Sequence, residues 1–194
     1  MAGMETTSTT LRWALLILMD NPDKQEKIRD ELLSVVGRSR RLTMADKPKL
    51  PYFVAAINEL QRVANMLPFI FFHRCTEGTV IGGKFIPEDT LTFPQIFSVM
   101  KEDAVFERPE EFLPERFLAE DGKTVNRATL ERMVAFGLGK RQCVGEGLAR
   151  LEMFLVLGSI LLHYRLEPTE PIDMTPQFGQ VLNPKPFKCR VAPL

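Results

Sequence analysis

The run GEGLARLEMFLVLGSILLHY, residues 145–164, constrains this chain more than any other stretch. Apolar residues fall on almost every face of a helix there, which predicts a helix buried on most of its sides. It is too short to span a bilayer. Leu151–Leu162 and Trp13–Met19 are the longest apolar stretches, and both fall short of the about 20 residues a spanning helix needs. A core helix of this kind requires partners, and the rest of the chain supplies them. Met1–Asp20 reads as a helix that is apolar in its second half and stopped by NPDK. Asn21 is placed as an N-cap, with Pro22 at the first position of an amphipathic helix that runs to Val36 and ends at Gly37. Tyr52–Asn65 reads as a third helix, with Val54, Ile57 and Leu60 on one face.

From Leu67 to Phe93 the pattern turns β-like, with FIFFH and TVIGGKF separated by Gly78, Gly82, Gly83 and Pro87. Residues 94–134 read as irregular, and a connection that long is usually functional or structurally special. Six prolines between Pro168 and Pro193 predict short strands or hairpins at the end. The fold class is therefore mainly α with minor β (α+β), in one section covering 1–194.

Charge and cysteine usage exclude some classes. Lys+Arg and Asp+Glu are 25 each, which argues against a nucleic-acid binder with its basic excess. Cys75, Cys143 and Cys189 are odd in number, far apart and form no CxxC, so neither a disulfide framework nor a structural zinc site is expected. The opening MAGMETTSTT lacks the pattern of a secretory signal.

Cys143 stands out by its setting. A thiolate is the reactive, metal-binding form of cysteine and needs positive potential nearby. Lys140 and Arg141 precede it, and the free amides of a helix starting near Gly145 point back toward it. Gly137, Gly139 and Gly145 let the backbone turn tightly and approach a flat partner. A small hydrophobe that follows a turn remains the alternative reading. A phosphate cradle on GLGK fails, because Val134 stands where a P-loop needs glycine and Arg141 where it needs Ser or Thr.

FGLGKRQCVG fits F-x-x-G-x-R-x-C-x-G in full, at Phe136, Gly139, Arg141, Cys143 and Gly145. In this it resembles the haem-thiolate loop of the cytochrome P450 monooxygenases. AGMETT (Ala2–Thr7), ELQR (Glu59–Arg62) and PERF (Pro114–Phe117) are similar to three further signatures of that family, in the expected order. The likeness covers essentially the whole chain and is nearest in style to microsomal members.

The resemblance implies haem b as cofactor, with Cys143 as the axial iron ligand and Ala2, His73, Phe136, Gly137, Arg141, Gly145 and Ala149 around it. Arg141 and His73 would hold the haem carboxylates; for His73 a satisfied polar role is the alternative. Glu5 and Thr6 would relay protons for O–O cleavage, while Ala2 and Gly3 keep the space above the iron open. Taken alone, AGMETT reads as a helix interrupted by Gly3 or as an N-terminal cap region. Glu59, Arg62 and Arg116 would be structural, fixing the irregular segment against the helix; by itself the Glu59–Arg62 spacing is compatible with an exposed pair. Leu67, Ile70 and Phe71 correspond to substrate-lining positions of relatives, with core packing as the alternative.

The activity implied is insertion of one oxygen atom of O2 into a lipophilic substrate, of xenobiotic, fatty-acid or steroid type. Electrons would come from an NADPH-dependent reductase or a cytochrome b5-type donor, docking near Arg132, Lys140 and Arg150. The location implied is the cytoplasmic face of the endoplasmic reticulum. Members of the family are far longer, so the chain reads as the C-terminal, N-terminally truncated portion of the haem-binding fold, with Met1 an internal methionine. A non-catalytic product that at most binds haem or a partner chain is the second expectation. The apolar faces of Met1–Asp20 and Gly145–Tyr164 are then expected to be partly uncovered.

Overall fold

The computed structural model describes residues 2–179 and 181–194. Met1, where the first predicted helix and the internal start were placed, lies outside them.

Four helices carry the core. α1 (Ala2–Asp20) buries Thr9, Thr10, Trp13, Ala14 and Leu16–Met19. α2 (Pro22–Val35) contributes Ile28 and Leu32, and α3 (Pro51–Ala64) is buried along almost its whole length. Gly3 does not interrupt α1. The structure corrects the role of Asn21. It does sit at the N-cap of α2, but its amide donates backward to the Ile17 carbonyl at 2.9 Å and closes α1 instead of capping α2. Gly37, at φ +70°, ends α2 by donating its amide to the Leu33 carbonyl.

Between α3 and the last long helix lie small elements: β1 (His73–Arg74), β2 (Thr79–Ile81), β3 (Lys84–Ile86), β4 (Leu91–Thr92), α4 (Ile96–Lys101) and α5 (Arg127–Glu131). Residues 94–134, expected to be irregular, thus hold two short helices and a 3-10 turn at Pro114–Phe117. The last helix, α6 (Glu146–His163), leads into β5 (Tyr164–Pro168), β6 (Pro176–Gln177), β7 (Asn183–Pro184) and β8 (Cys189–Pro193). All strands form antiparallel pairs, β1 with β4, β2 with β3, β5 with β8 and β6 with β7. Mainly α with minor β is therefore the observed class.

α6 packs against α1, α2 and α3 through Met153, Phe154, Leu157, Leu161 and Leu162. It is not buried on most sides: Leu148, Leu151 and Val156 are exposed. An all-apolar helix does not encode which of its faces meets a neighbour, and here the neighbours lie on one side only. No helix among the described residues is long and apolar enough to cross a membrane.

Buried polar groups stitch these helices together. Arg29 reaches the Leu161 and Tyr164 carbonyls, satisfying orphan acceptors at the end of α6. Gln25 accepts the Leu166 amide at 2.8 Å and donates to the Leu166 carbonyl at 3.1 Å, joining α2 to β5. The N-terminus of α3 is capped from another helix. Leu50 at its N-cap has nothing to offer, and the Glu31 carboxylate of α2 accepts the amides of Tyr52 and Phe53 at 2.9 and 2.8 Å.

Glu31→Ala is expected to cost about 1–2 kcal/mol, the size of a lost helix cap, in urea unfolding at neutral pH. Burial pushes the Glu31 carboxyl up from its ordinary value, against the pull of the two amides and Lys27. A carboxyl raised in the folded state takes up its proton more readily there than when unfolded. Protonation therefore adds an increment to its capping contribution that is fully present below the ordinary carboxylate range, about pH 4.3, and is lost as pH rises through the raised value, leaving the ionised cap at neutral pH. The variant lacks that segment of the stability–pH curve; an unchanged curve in the variant refutes the assignment.

Candidate functional site

The loop between α5 and α6 is shaped by its glycines. Gly137 and Gly139 take φ of +76° and +68°, conformations that side chains rarely adopt. A Cβ on Gly137 would also stand 3.1 Å from Ile70 Cδ1, so the segment before β1 rests directly on the loop. The Cys143 amide donates to the Phe136 carbonyl at 2.8 Å, folding the loop back on itself. Gly145 is the N-cap of α6, and its carbonyl accepts the Ala149 amide at 2.9 Å.

Cys143 is exposed. Around it, Leu138, Val144 and Leu148 are exposed apolar residues, Val144 at 105%. Lys140 and Arg141 are exposed too, and neither side chain makes an ion pair or hydrogen bond among the described residues. A presented thiol, an apolar collar and two free cations suit a flat, apolar, anionic partner with a metal at its centre. The other cysteines differ in burial: Cys75 and Cys189 are free and half-buried, although Arg74 adjoins the first and Lys188 and Arg190 flank the second.

Behind the loop lies a buried ionic cluster. Glu59 and Arg62 are both fully buried and joined by two bonds, Nε to Oε2 at 2.8 Å and Nη2 to Oε1 at 2.9 Å. Glu59 Oε1 also accepts Arg116 Nε at 3.0 Å and the Leu113 amide at 2.9 Å. Arg62 donates to the carbonyls of Met100 and Glu111, and Arg116 to those of Glu107 and Arg108. The exposed-pair reading is thereby excluded. Residues 100–116, which have no long helix of their own, are held by guanidinium groups donating to their carbonyls.

The sequence compares closely with known proteins. The family model described as Cytochrome P450 matches residues 1–191. The chain belongs to the cytochrome P450 family. It is 42% identical over 180 residues to cytochrome P450 1A2 of Oryctolagus cuniculus, covering 92% of this chain and 35% of that protein. It is 40% identical over 190 residues to human cytochrome P450 1A2, covering 97% and 36%. With cytochrome P450 2E1 of Bos taurus it shares 42% over 198 residues, covering 99% and 39%. The chain thus spans a little over a third of the length of these relatives.

In this cytochrome P450 section the motif positions do not all meet. Phe136, Gly137, Arg141, Cys143, Gly145 and Ala149 share one loop and the helix turn that follows. His73 is half-buried on β1, where its carbonyl accepts Thr92 Oγ1 at 3.4 Å, and no bond joins its ring to Arg141 among the described residues. Ala2 and Glu5 are exposed in the first turns of α1. Thr6 Oγ1 donates to the Ala2 carbonyl at 2.8 Å, a back-bond of the kind that hydroxyl side chains make inside helices. Leu67 and Ile70 are half-buried, while Phe71 is 82% exposed.

One expectation needs correcting. Arg150, expected with Arg132 and Lys140 to serve as a docking cation, has its guanidinium engaged within the chain. Nε donates to Glu146 Oε1 at 2.8 Å, Nη1 to Asn58 Oδ1 at 2.9 Å, and the group stacks 5.0 Å from the Phe136 ring centroid. Glu146 and Arg150 stand at i, i+4, a spacing visible in the sequence. Asn58, on a different helix, carries no such signal.

Proposed function

We propose that this chain carries the thiolate-ligand section of a haem-dependent monooxygenase acting on lipophilic organic substrates, with haem b as cofactor. The observation that carries the reading is the exposure of Cys143 at the centre of a glycine-shaped, apolar-rimmed and basic loop. Haem bound there would supply the activation of O2, which a thiolate ligand from Cys143 would favour by donating electron density.

The chain's own residues do the rest. Cys143 would present Sγ to the metal, with Leu138, Val144 and Leu148 covering apolar surface and excluding water. Arg141 would pair with a haem carboxylate through charge-assisted bonds, and His73 would contribute a second donor. Phe136, Gly137, Gly145 and Ala149 would lie against the macrocycle. Ala2 and Gly3 would leave room above it. Thr6 Oγ1, whose hydrogen goes to the Ala2 carbonyl, can still accept a bond from water, and the Glu5 carboxyl would exchange protons with that water. Electrons would arrive from an NADPH-dependent reductase or cytochrome b5-type donor across the face bearing Lys140 and Arg132. The cytoplasmic face of the endoplasmic reticulum is the corresponding location.

A second reading is a section that binds haem or a partner chain without turnover of its own. The exposed aromatic residues Phe69, Phe71, Phe72, Phe93 and Phe178 favour it, since they leave extensive apolar surface without cover.

The test is the reduced, carbon monoxide difference spectrum of the chain supplied with haem. A strongly red-shifted Soret band is expected, and Cys143→Ser should abolish it while leaving the helical circular dichroism unchanged. A band that survives Cys143→Ser overturns the ligand assignment. Haem ligation without substrate oxidation, in the presence of reductase and NADPH, selects the second reading.

A further inference from the structure

Arg150 connects the thiolate loop to a helix outside it. On one side, its Nη1 donates to Asn58 Oδ1, and Asn58 is buried on α3 immediately before Glu59, with its Nδ2 donating to the Val54 carbonyl at 3.1 Å. On the other, its guanidinium lies against the Phe136 ring, while the Phe136 carbonyl receives the Cys143 amide. Glu146 holds the guanidinium from below, one helical turn back on α6. A route of direct contacts therefore runs from α3 through Arg150 and Phe136 to the backbone of Cys143.

We infer that Arg150 is a positioning residue for the thiolate: it clamps the Phe136 ring, and with it the carbonyl that orients Cys143, against α3. The glycines allow the loop its turn but supply no restraint, because Gly137 and Gly139 have no side chains with which to anchor it. A planar guanidinium provides the restraint, since it can stack on a ring and donate in two directions at once. An ammonium is a point charge without that planar fork, so it holds the ring and both acceptors less firmly. The spectroscopic consequence rests on the haem-thiolate reading; the clamp itself does not.

The test uses Arg150→Lys, which keeps the charge and removes the planar fork, and Asn58→Ala, which removes the acceptor on α3 without touching the loop. Hydrogen exchange is followed on the chain as it stands. In Arg150→Lys, amides between Gly137 and Cys143 should exchange on the order of tenfold faster, the size expected for a lost stacked cation, with α1 and α2 unchanged. Asn58→Ala should show the same pattern more weakly.

In the haem-loaded protein, Arg150→Lys should move part of the carbon monoxide complex from the thiolate band to the blue-ward thiol band and shift the iron reduction potential. A wild-type chain that takes up no haem defeats the functional reading, and the exchange data still decide the clamp. Unchanged loop exchange in both variants overturns it. So does a lysine variant that matches wild type throughout while Arg150→Gln loses reduction by the reductase, which would make Arg150 a docking charge.

Discussion

Glu59→Ala is expected to lower stability by about 3–5 kcal/mol, the cost of stranding buried charge. The carboxylate takes four donors, two from Arg62, one from Arg116 and one from the Leu113 amide. With it gone, the fully buried Arg62 keeps its bonds to the Met100 and Glu111 carbonyls but loses the one carboxylate it pairs with among the described residues. Arg116 and residues 107–116 lose their anchor at the same time. A domain of ordinary stability has about 5–15 kcal/mol in all, so this single change should bring a large part of the population to the edge of unfolding.

Arg116→Ala should cost less, because Arg116 sits at the rim and its removal leaves the Glu59–Arg62 pair intact. Urea unfolding of both variants measures the order. A Glu59→Ala protein within about 1 kcal/mol of the parent would mean that water reaches the cluster and screens the arginines.

The second large effect is steric. Gly158 lies on the buried face of α6, where a Cβ would run into Leu42 Cδ2 and stand 2.8 Å from Phe53 Cε1. Phe53 is itself immobilised, with its ring centroid 5.2 Å from that of Phe154. Close-packed interiors do not yield to such an intrusion. Gly158→Val should therefore destabilise by about 1–3 kcal/mol through overpacking, outweighing the gain in helix propensity over glycine. Gly3→Ala is the contrast: nothing lies within 4 Å of the added methyl, so only the propensity gain remains. Thermal unfolding of the pair separates packing from propensity, and a stabilised Gly158→Val would show that α6 can move away from α3.

Much of this protein was legible in its residues. The four long helices follow from apolar periodicity and from proline and glycine punctuation, which act over a few residues and leave local marks. Cys143 could be singled out because its context is contiguous: glycines, cations and a helix start within one short loop. The motifs of the P450 family are similarly local, and their order along the chain carried the family assignment that the comparison bears out.

Contacts between distant residues were not legible from spacing, and only the resemblance placed Arg116 with Glu59 and Arg62. Whether Glu59 and Arg62 were exposed or buried depended on the arrival of Leu113 and Arg116 from the far end of an irregular segment. The capping of α3 by Glu31 is of the same kind, as is the capture of Arg150 by Asn58, since hydrogen-bond acceptors on other helices leave no spacing signal. The exposed side of α6 could not be read from a sequence that is apolar all round. The amino-acid sequence by itself determined the helices, the glycine-rich loop that carries Cys143, and the family. The tertiary structure alone decided which charges are buried, which helix face is covered, and what holds the loop, because burial and partner choice depend on what packs nearby and not on what adjoins in the chain.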